Sequence, residues 1–154
     1  MFCLDYALSF FFYGCVHAQA RERGLAEDRL LAAPVPYALG ATSGAFAALV
    51  LWPVDFVRQS AVGTPGRPVF AWSTIPFGAL SFGLFLRPGG RDAPLGDRAA
   101  RALGAAGAGL AAELPLDRAK YALAGGWRNA ALMTVLRWPL SAALLVAFET
   151  AAIK

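Results

Sequence analysis

Five apolar stretches dominate this chain, each close to the length a helix needs to cross the hydrocarbon of a bilayer. They run from about Leu4 to Ala18, Pro36 to Phe56, Val69 to Leu86, Arg101 to Asp117 and Ala130 to Ile153. A spanning helix takes ~20 predominantly apolar residues; the first and fourth stretches reach that length by borrowing from their flanks. Membrane β-strands would alternate over ~10 residues, whereas these stretches are continuously apolar, so the element is the helix. Breakers separate them at Thr64-Pro65-Gly66, Pro88-Gly89-Gly90 and Gly125-Gly126. The mixed-charge run Gln19–Leu30 reads as a short surface helix between the first two spans. The composition agrees, with 58% hydrophobic and 16% charged residues and a mean hydropathy of +0.52. Soluble domains hold ~45–50% and ~25%, and lipid is the solvent that accommodates the excess. The fold class is therefore an all-α membrane protein, a bundle of about five transmembrane helices.

The remaining chemistry is sparse. A net charge of +4 raises nucleic acid as a partner, but the basic residues are scattered among connectors, not clustered on a face. At helix ends such arginines anchor to headgroups, so we expect membrane lipids and no nucleic acid. Cys3 and Cys15 lie in the first span without a CxxC spacing, and His17 is the single histidine; the expectation is two buried thiols, an interfacial histidine and no metal site. No Ser-His-Asp or Cys-His set is present, and Glu113 with Asp117, beside Arg118 and Lys120, reads as ion-pair partners. An enzyme is not expected, nor a resident cofactor. The start, MFCLDYALSFFFYGCVHA, lacks the basic n-region of a signal peptide and reads as a retained first span.

Two helix ends match. The second span closes with Pro53-Val54-Asp55-Phe56-Val57-Arg58 and the fourth with Pro115-Leu116-Asp117-Arg118-Ala119-Lys120. Both read P-x-D-x-x-[K/R] at the polar edge of a Gly/Ala-rich span. The following spans carry Pro76 and Phe85 in one, Pro139 and Phe148 in the other, at an offset of 62–63 residues. That is an internal repeat of a helix pair, dividing the chain into residues 1–34 (first helix and polar connector), 35–92 and 93–154 (one helix pair each). A proline within a span frees a carbonyl and kinks the helix, which makes Pro53, Pro76, Pro115 and Pro139 candidate kinks. Asp and the basic residue three positions on share a helical face, so Asp55 with Arg58 and Asp117 with Lys120 form candidate ion-pairing couplets. Gly40 with Gly44, and Gly104 with Ala108, are small-xxx-small pairs suited to close helix packing.

These motifs resemble those of the mitochondrial carrier family, whose three tandem repeats each end the odd-numbered helix in P-x-[D/E]-x-x-[K/R]. The resemblance covers nearly the whole chain, taken as an even helix followed by two repeats, and implies an incomplete carrier-like fold in the mitochondrial inner membrane. By position Asp55, Arg58, Asp117 and Lys120 would belong to the salt-bridge ring, and Gly40 and Gly44 would be packing glycines. Gly126-Trp127-Arg128-Asn129 looks like the family's glycine–aromatic–basic–glycine element, with Asn129 for the last glycine. Arg137, Pro139 and Phe148-Glu149 resemble the pattern of even helices. Arg137, Trp127 and Arg128 are thus candidate anion or lipid contacts.

Two functions compete under this resemblance. A solute transporter would use the two couplets as a gate and Arg137 to draw an anion inward. A carrier-derived accessory subunit of a respiratory complex or ATP synthase would keep the packing elements and lose the path. Only two signatures are present, the connectors after them are short, and Ser60 and Ala122 stand where a further basic residue is expected. These departures favour the accessory subunit, with other subunits of the complex and lipids as partners. The basic residues are nearly balanced between the two sides and favour placing the signature ends in the matrix; a bound phospholipid such as cardiolipin is compatible with the accessory-subunit reading.

Overall fold

The computed structural model describes residues 2–61, 72–121 and 126–152. They form α1 (Phe2–Glu22), α2 (Glu27–Leu31), α3 (Val35–Ala61), α4 (Thr74–Phe85), α5 (Leu95–Tyr121) and α6 (Gly126–Ala152). The described residues contain helix and no strand, as continuous apolar runs without alternation require. Gly24, at φ 85°, ends α1 in the left-handed conformation that glycine adopts freely. The polar run after it contributes only the five-residue α2.

Successive helices pack as antiparallel neighbours. Gly40 of α3 faces Gly78 of α4 while Gly44 faces Thr74, so residue numbers rise on one helix as they fall on the other. Gly109 of α5 lies against Ser81 and Phe77, and Arg98 of α5 reaches Glu149 of α6; both contacts reverse direction again. Consequently α3 and α5 point the same way, and Pro53 and Pro115, each inside its helix, lie toward the same end of the bundle. Their depths differ. Gly44 and Glu113 both meet the first turn of α4, yet Pro53 stands nine residues beyond Gly44 and Pro115 two beyond Glu113. At ~1.5 Å per residue the two prolines are offset by about 10 Å along the axis.

α1 packs beside α3, and its backbone stays apart from α6 over most of its length. The two helices meet through large side chains: the rings of Phe10 and Phe148 are 5.7 Å apart and those of Tyr13 and Phe148 5.5 Å. These join the core of Phe77, Phe82, Phe85, Leu110 and Leu145, where Tyr13 stacks on Phe82 at 4.0 Å.

Among the described residues two helices are long and apolar enough to cross a membrane, over Val35–Val54 and Ala131–Ala151. A soluble core helix of that character would be mostly buried, yet only 39% and 22% of these windows are. α4 has twelve residues, about 18 Å of helix, short of the ~30 Å of a hydrocarbon core. The third apolar stretch begins at Val69, and residues 62–71 lie outside the described residues.

Pro139 lies inside α6 as expected. Pro76 does not sit in a helix interior. It is the third residue of α4, where the missing N–H is one of the first-turn donors that have no intrahelical acceptor, so no kink is required there.

Candidate functional site

Several polar side chains lie inside the bundle, while the exposed charges among the described residues sit in the connectors and near helix ends. Ser9, His17, Ser43, Ser81, Glu113, Arg137, Ser141 and Glu149 are all buried, whereas Phe11, Trp52, Phe56, Val57, Val135 and Leu136 are each at least half exposed. Among the described residues the ion pairs gather in two clusters, one toward each end of the bundle.

The first cluster draws one residue from each of four chain regions. Tyr6, in the second turn of α1, donates its hydroxyl to Glu113 Oε2 at 3.0 Å. Ser73, immediately before α4, donates to Glu113 Oε1 at 3.3 Å. Arg137 of α6 donates to the Tyr6 oxygen at 3.1 Å and lies 3.6 Å from Glu113 Oε1. Glu113 is 4% exposed and Arg137 6%. A buried charge this dry needs both a counter-ion and hydrogen bonds, and the tyrosine supplies the bridge between the two.

The second cluster centres on Glu149 near the end of α6. Arg98 Nε donates to Glu149 Oε2 at 2.8 Å and Arg101 Nη2 to Oε1 at 3.1 Å. Arg98 also reaches Thr150 Oγ1 at 2.7 Å and the Val146 carbonyl at 3.4 Å, placing positive charge at the negative end of the α6 dipole. Arg101 donates to the Gly90 carbonyl at 3.0 Å and lies over the Phe85 ring at 5.1 Å. Its Nε and Nη1, both buried, have no hydrogen-bond acceptor among the described residues.

Several expectations change against this geometry. Arg137 is not presented to an anion; it is buried and held by Glu113 and Tyr6, because a lone guanidinium inside an apolar bundle would carry its full desolvation cost. The described contacts of Glu113 run across the bundle to Tyr6 of α1, Ser73 before α4 and Arg137 of α6; the side chains of Arg118 and Lys120 lie outside those described. His17 is buried, 6.1 Å from the Tyr13 ring. Cys15 is exposed on the outer face of α1, two positions from each of Tyr13 and His17 on the buried face that also carries Tyr6 and Phe10; the side chain of Cys3 lies outside those described. Gly104 has nothing within 4 Å of an added Cβ, and Ala108 is half-buried. The packing glycines of α5 are instead Gly109, against Ser81 and Phe77, and Gly107, under the Trp138 indole. The expectation for Gly40 and Gly44 matches the contacts: a Cβ at either would strike the α4 backbone.

The side chains of Asp55, Arg58, Asp117, Lys120 and Trp127 lie outside those described, so the two couplets carry no geometry here. Arg128 is exposed in the first turn of α6. Among the described residues no group of three or more His, Cys, Asp or Glu is arranged to hold a metal ion. The sequence signal that would have paired Glu113 with Arg137 is thin: two isolated charges in otherwise apolar stretches, each needing a partner of opposite sign.

No family model, curated protein or solved structure matches this chain at a significant level.

Proposed function

We propose that this chain is a multi-pass membrane protein, derived from the mitochondrial carriers, that serves as a structural accessory subunit of a larger inner-membrane assembly such as a respiratory complex or ATP synthase. The observation that carries the membrane part of this reading is the inversion of polarity: ion pairs inside, bulky apolar side chains outside. Water would reward the opposite arrangement; lipid tolerates apolar surface and demands that charges pair internally. In this reading α1, α5 and the chain around α4 lie in the bilayer with α3 and α6.

A structural role is supported by how the interior is filled. Tyr13, Phe77, Phe82, Phe85, Leu110 and Leu145 are fully buried, and the Tyr13–Phe82 stack occupies the space between the two ionic clusters. Glu113 and Arg137 neutralise each other where a transporter would present charge to solute. The carrier ancestry rests on the repeated P-x-D-x-x-[K/R] ends, and the shared direction of α3 and α5 is what that ancestry requires. The exposed apolar residues of α3 and α6 then provide the surfaces for lipid and for neighbouring subunits.

A transporter remains the second reading, favoured by the buried Glu113–Arg137 pair, since intramembrane ion pairs also serve as switching elements. Native electrophoresis of gently solubilised membranes separates the two. The subunit reading predicts migration with a large complex and no uptake of nucleotides, carboxylates or phosphate by liposomes holding the chain alone. A free particle of carrier size with measurable uptake would overturn it.

A further inference from the structure

At the end of the bundle where α2 lies, a cavity of about 300 Å³ opens between α2, the turn after α4 and the end of α6. Glu27 and Asp28 line it from α2, Arg87 and Arg91 from the turn, with Asp92 and the buried Glu149 beside them. Behind Glu149 stand Arg98 and Arg101. Four carboxylates are thus matched by four guanidiniums, and a site so balanced selects neither a simple anion nor a simple cation. The α2 wall is acidic and the opposite turn carries the arginines, so the field across the cavity suits a molecule with an ammonium at one end and a phosphate at the other. The buried Nε and Nη1 of Arg101, which lack an acceptor among the described residues, lie behind the same wall, because Arg101 holds both Gly90 and Glu149.

A second, open groove begins one residue away. Phe148 lines it, together with Phe10, Phe11, Gly14, Cys15 and Ala18 of α1, and its surface is almost wholly apolar. It follows α1 from Ala18, close to the same end of the bundle, toward Phe10 in its middle, over about 12 Å. Consecutive residues of α6 therefore border a charged cavity at the helix ends and an apolar furrow running inward.

We propose that the cavity holds the head group of a zwitterionic phospholipid, with its phosphate toward Arg87 and Arg91 and its ammonium toward Glu27 and Asp28, and that one acyl chain lies in the groove between α1 and α6. This assignment rests on the membrane reading above. The ammonium contact distinguishes it from generic retention of anionic lipid at exposed arginines.

Native mass spectrometry of the full chain in detergent tests it with three probes: phosphatidylethanolamine, phosphatidylglycerol and the water-soluble glycerophosphoethanolamine. One charge-assisted contact corresponds to about tenfold in affinity, so phosphatidylethanolamine is retained about tenfold better than phosphatidylglycerol, and the soluble head group adds no mass at the same concentration. In the double variant Glu27→Gln, Asp28→Asn the two lipids are retained equally. Phosphatidylethanolamine carrying a photoreactive acyl chain gives adducts on wild-type protein between Phe10 and Ala18 or at Phe148, a readout independent of any variant. Equal retention of the two lipids by wild type, an unaltered preference in the double variant, or adducts confined to other helices overturns the site. Binding of the soluble head group as tightly as the lipid would reassign the cavity to a soluble phosphate–amine and overturn the lipid. A protein that needs detergent but lacks the preference loses this site alone; one that is soluble without detergent loses the membrane reading as well.

Discussion

The two helix pairs that the sequence presents as copies are joined in different ways. Between α3 and α4 the contact is backbone on backbone: Gly40 meets Gly78, Gly44 meets Thr74, Gly83 lies under the Tyr37 ring, and Thr74 Oγ1 donates to the Gly44 carbonyl at 2.8 Å. Among the described residues no ion pair links these two helices. Between α5 and α6 the contacts are side chains, with Glu149 held by Arg98 and Arg101, Arg137 opposite Glu113, and Trp138 Nε1 donating to the Leu103 carbonyl at 2.7 Å. The first pair depends on shape and the second on charge. Two helix pairs with the same order of elements are thus joined by different forces.

That contrast can be broken from either side. The largest effect is expected at Glu149. Glu149→Ala strips two partly buried arginines of their shared buried partner, and losing one member of a buried pair costs about 3–5 kcal/mol, read as a lowered unfolding midpoint in detergent and as loss of assembled protein. The same change paired with Arg98→Ala and Arg101→Ala should recover part of that loss, since no unpaired charge remains. Next comes Gly40→Leu, where four added carbons meet the α4 backbone; overpacking of this kind costs about 1–3 kcal/mol and should lower the unfolding midpoint at high and low salt alike. Trp138→Phe removes one hydrogen bond and should cost about 1 kcal/mol. The smallest effect belongs to Gly104→Leu, within about 0.5 kcal/mol in the isolated chain, because nothing lies within reach of the new side chain. A large loss for Gly104→Leu in the native assembly, with none in the purified chain, would mark that face of α5 as one a neighbouring subunit covers.

Much of the fold was legible because apolar length is a coarse and robust signal. α1, α3 and α6 begin and end within about five residues of the stretches that announced them. α5 was harder: its helix starts at Leu95, six residues before the apolar run, because Arg98 and Arg101 are taken into the bundle end by Glu149. Reading those arginines as interfacial anchors missed the carboxylate that draws them inward. Gly40 and Gly44 share their spacing with Gly104 and Ala108, yet the first pair meets the α4 backbone while Gly104 is exposed and Ala108 half-buried. Helical spacing says which residues share a face and not which way that face turns. The Tyr6–Glu113–Arg137 cluster was beyond reach for a related reason: its members are separated by 107 and 131 positions, and only the tertiary fold brings them together.

The account stands on the inversion of polarity, and lipid-soluble photolabelling in native membranes tests it most directly. A carbene-generating probe confined to the hydrocarbon should tag the outward residues of α3 and α6, Leu49, Val50, Val135, Leu136 and Leu140 among them, and spare Phe77, Phe82 and Leu145. The protein should meanwhile stay with the membrane through an alkaline carbonate wash. Release into the wash with those outward residues unlabelled would contradict the account.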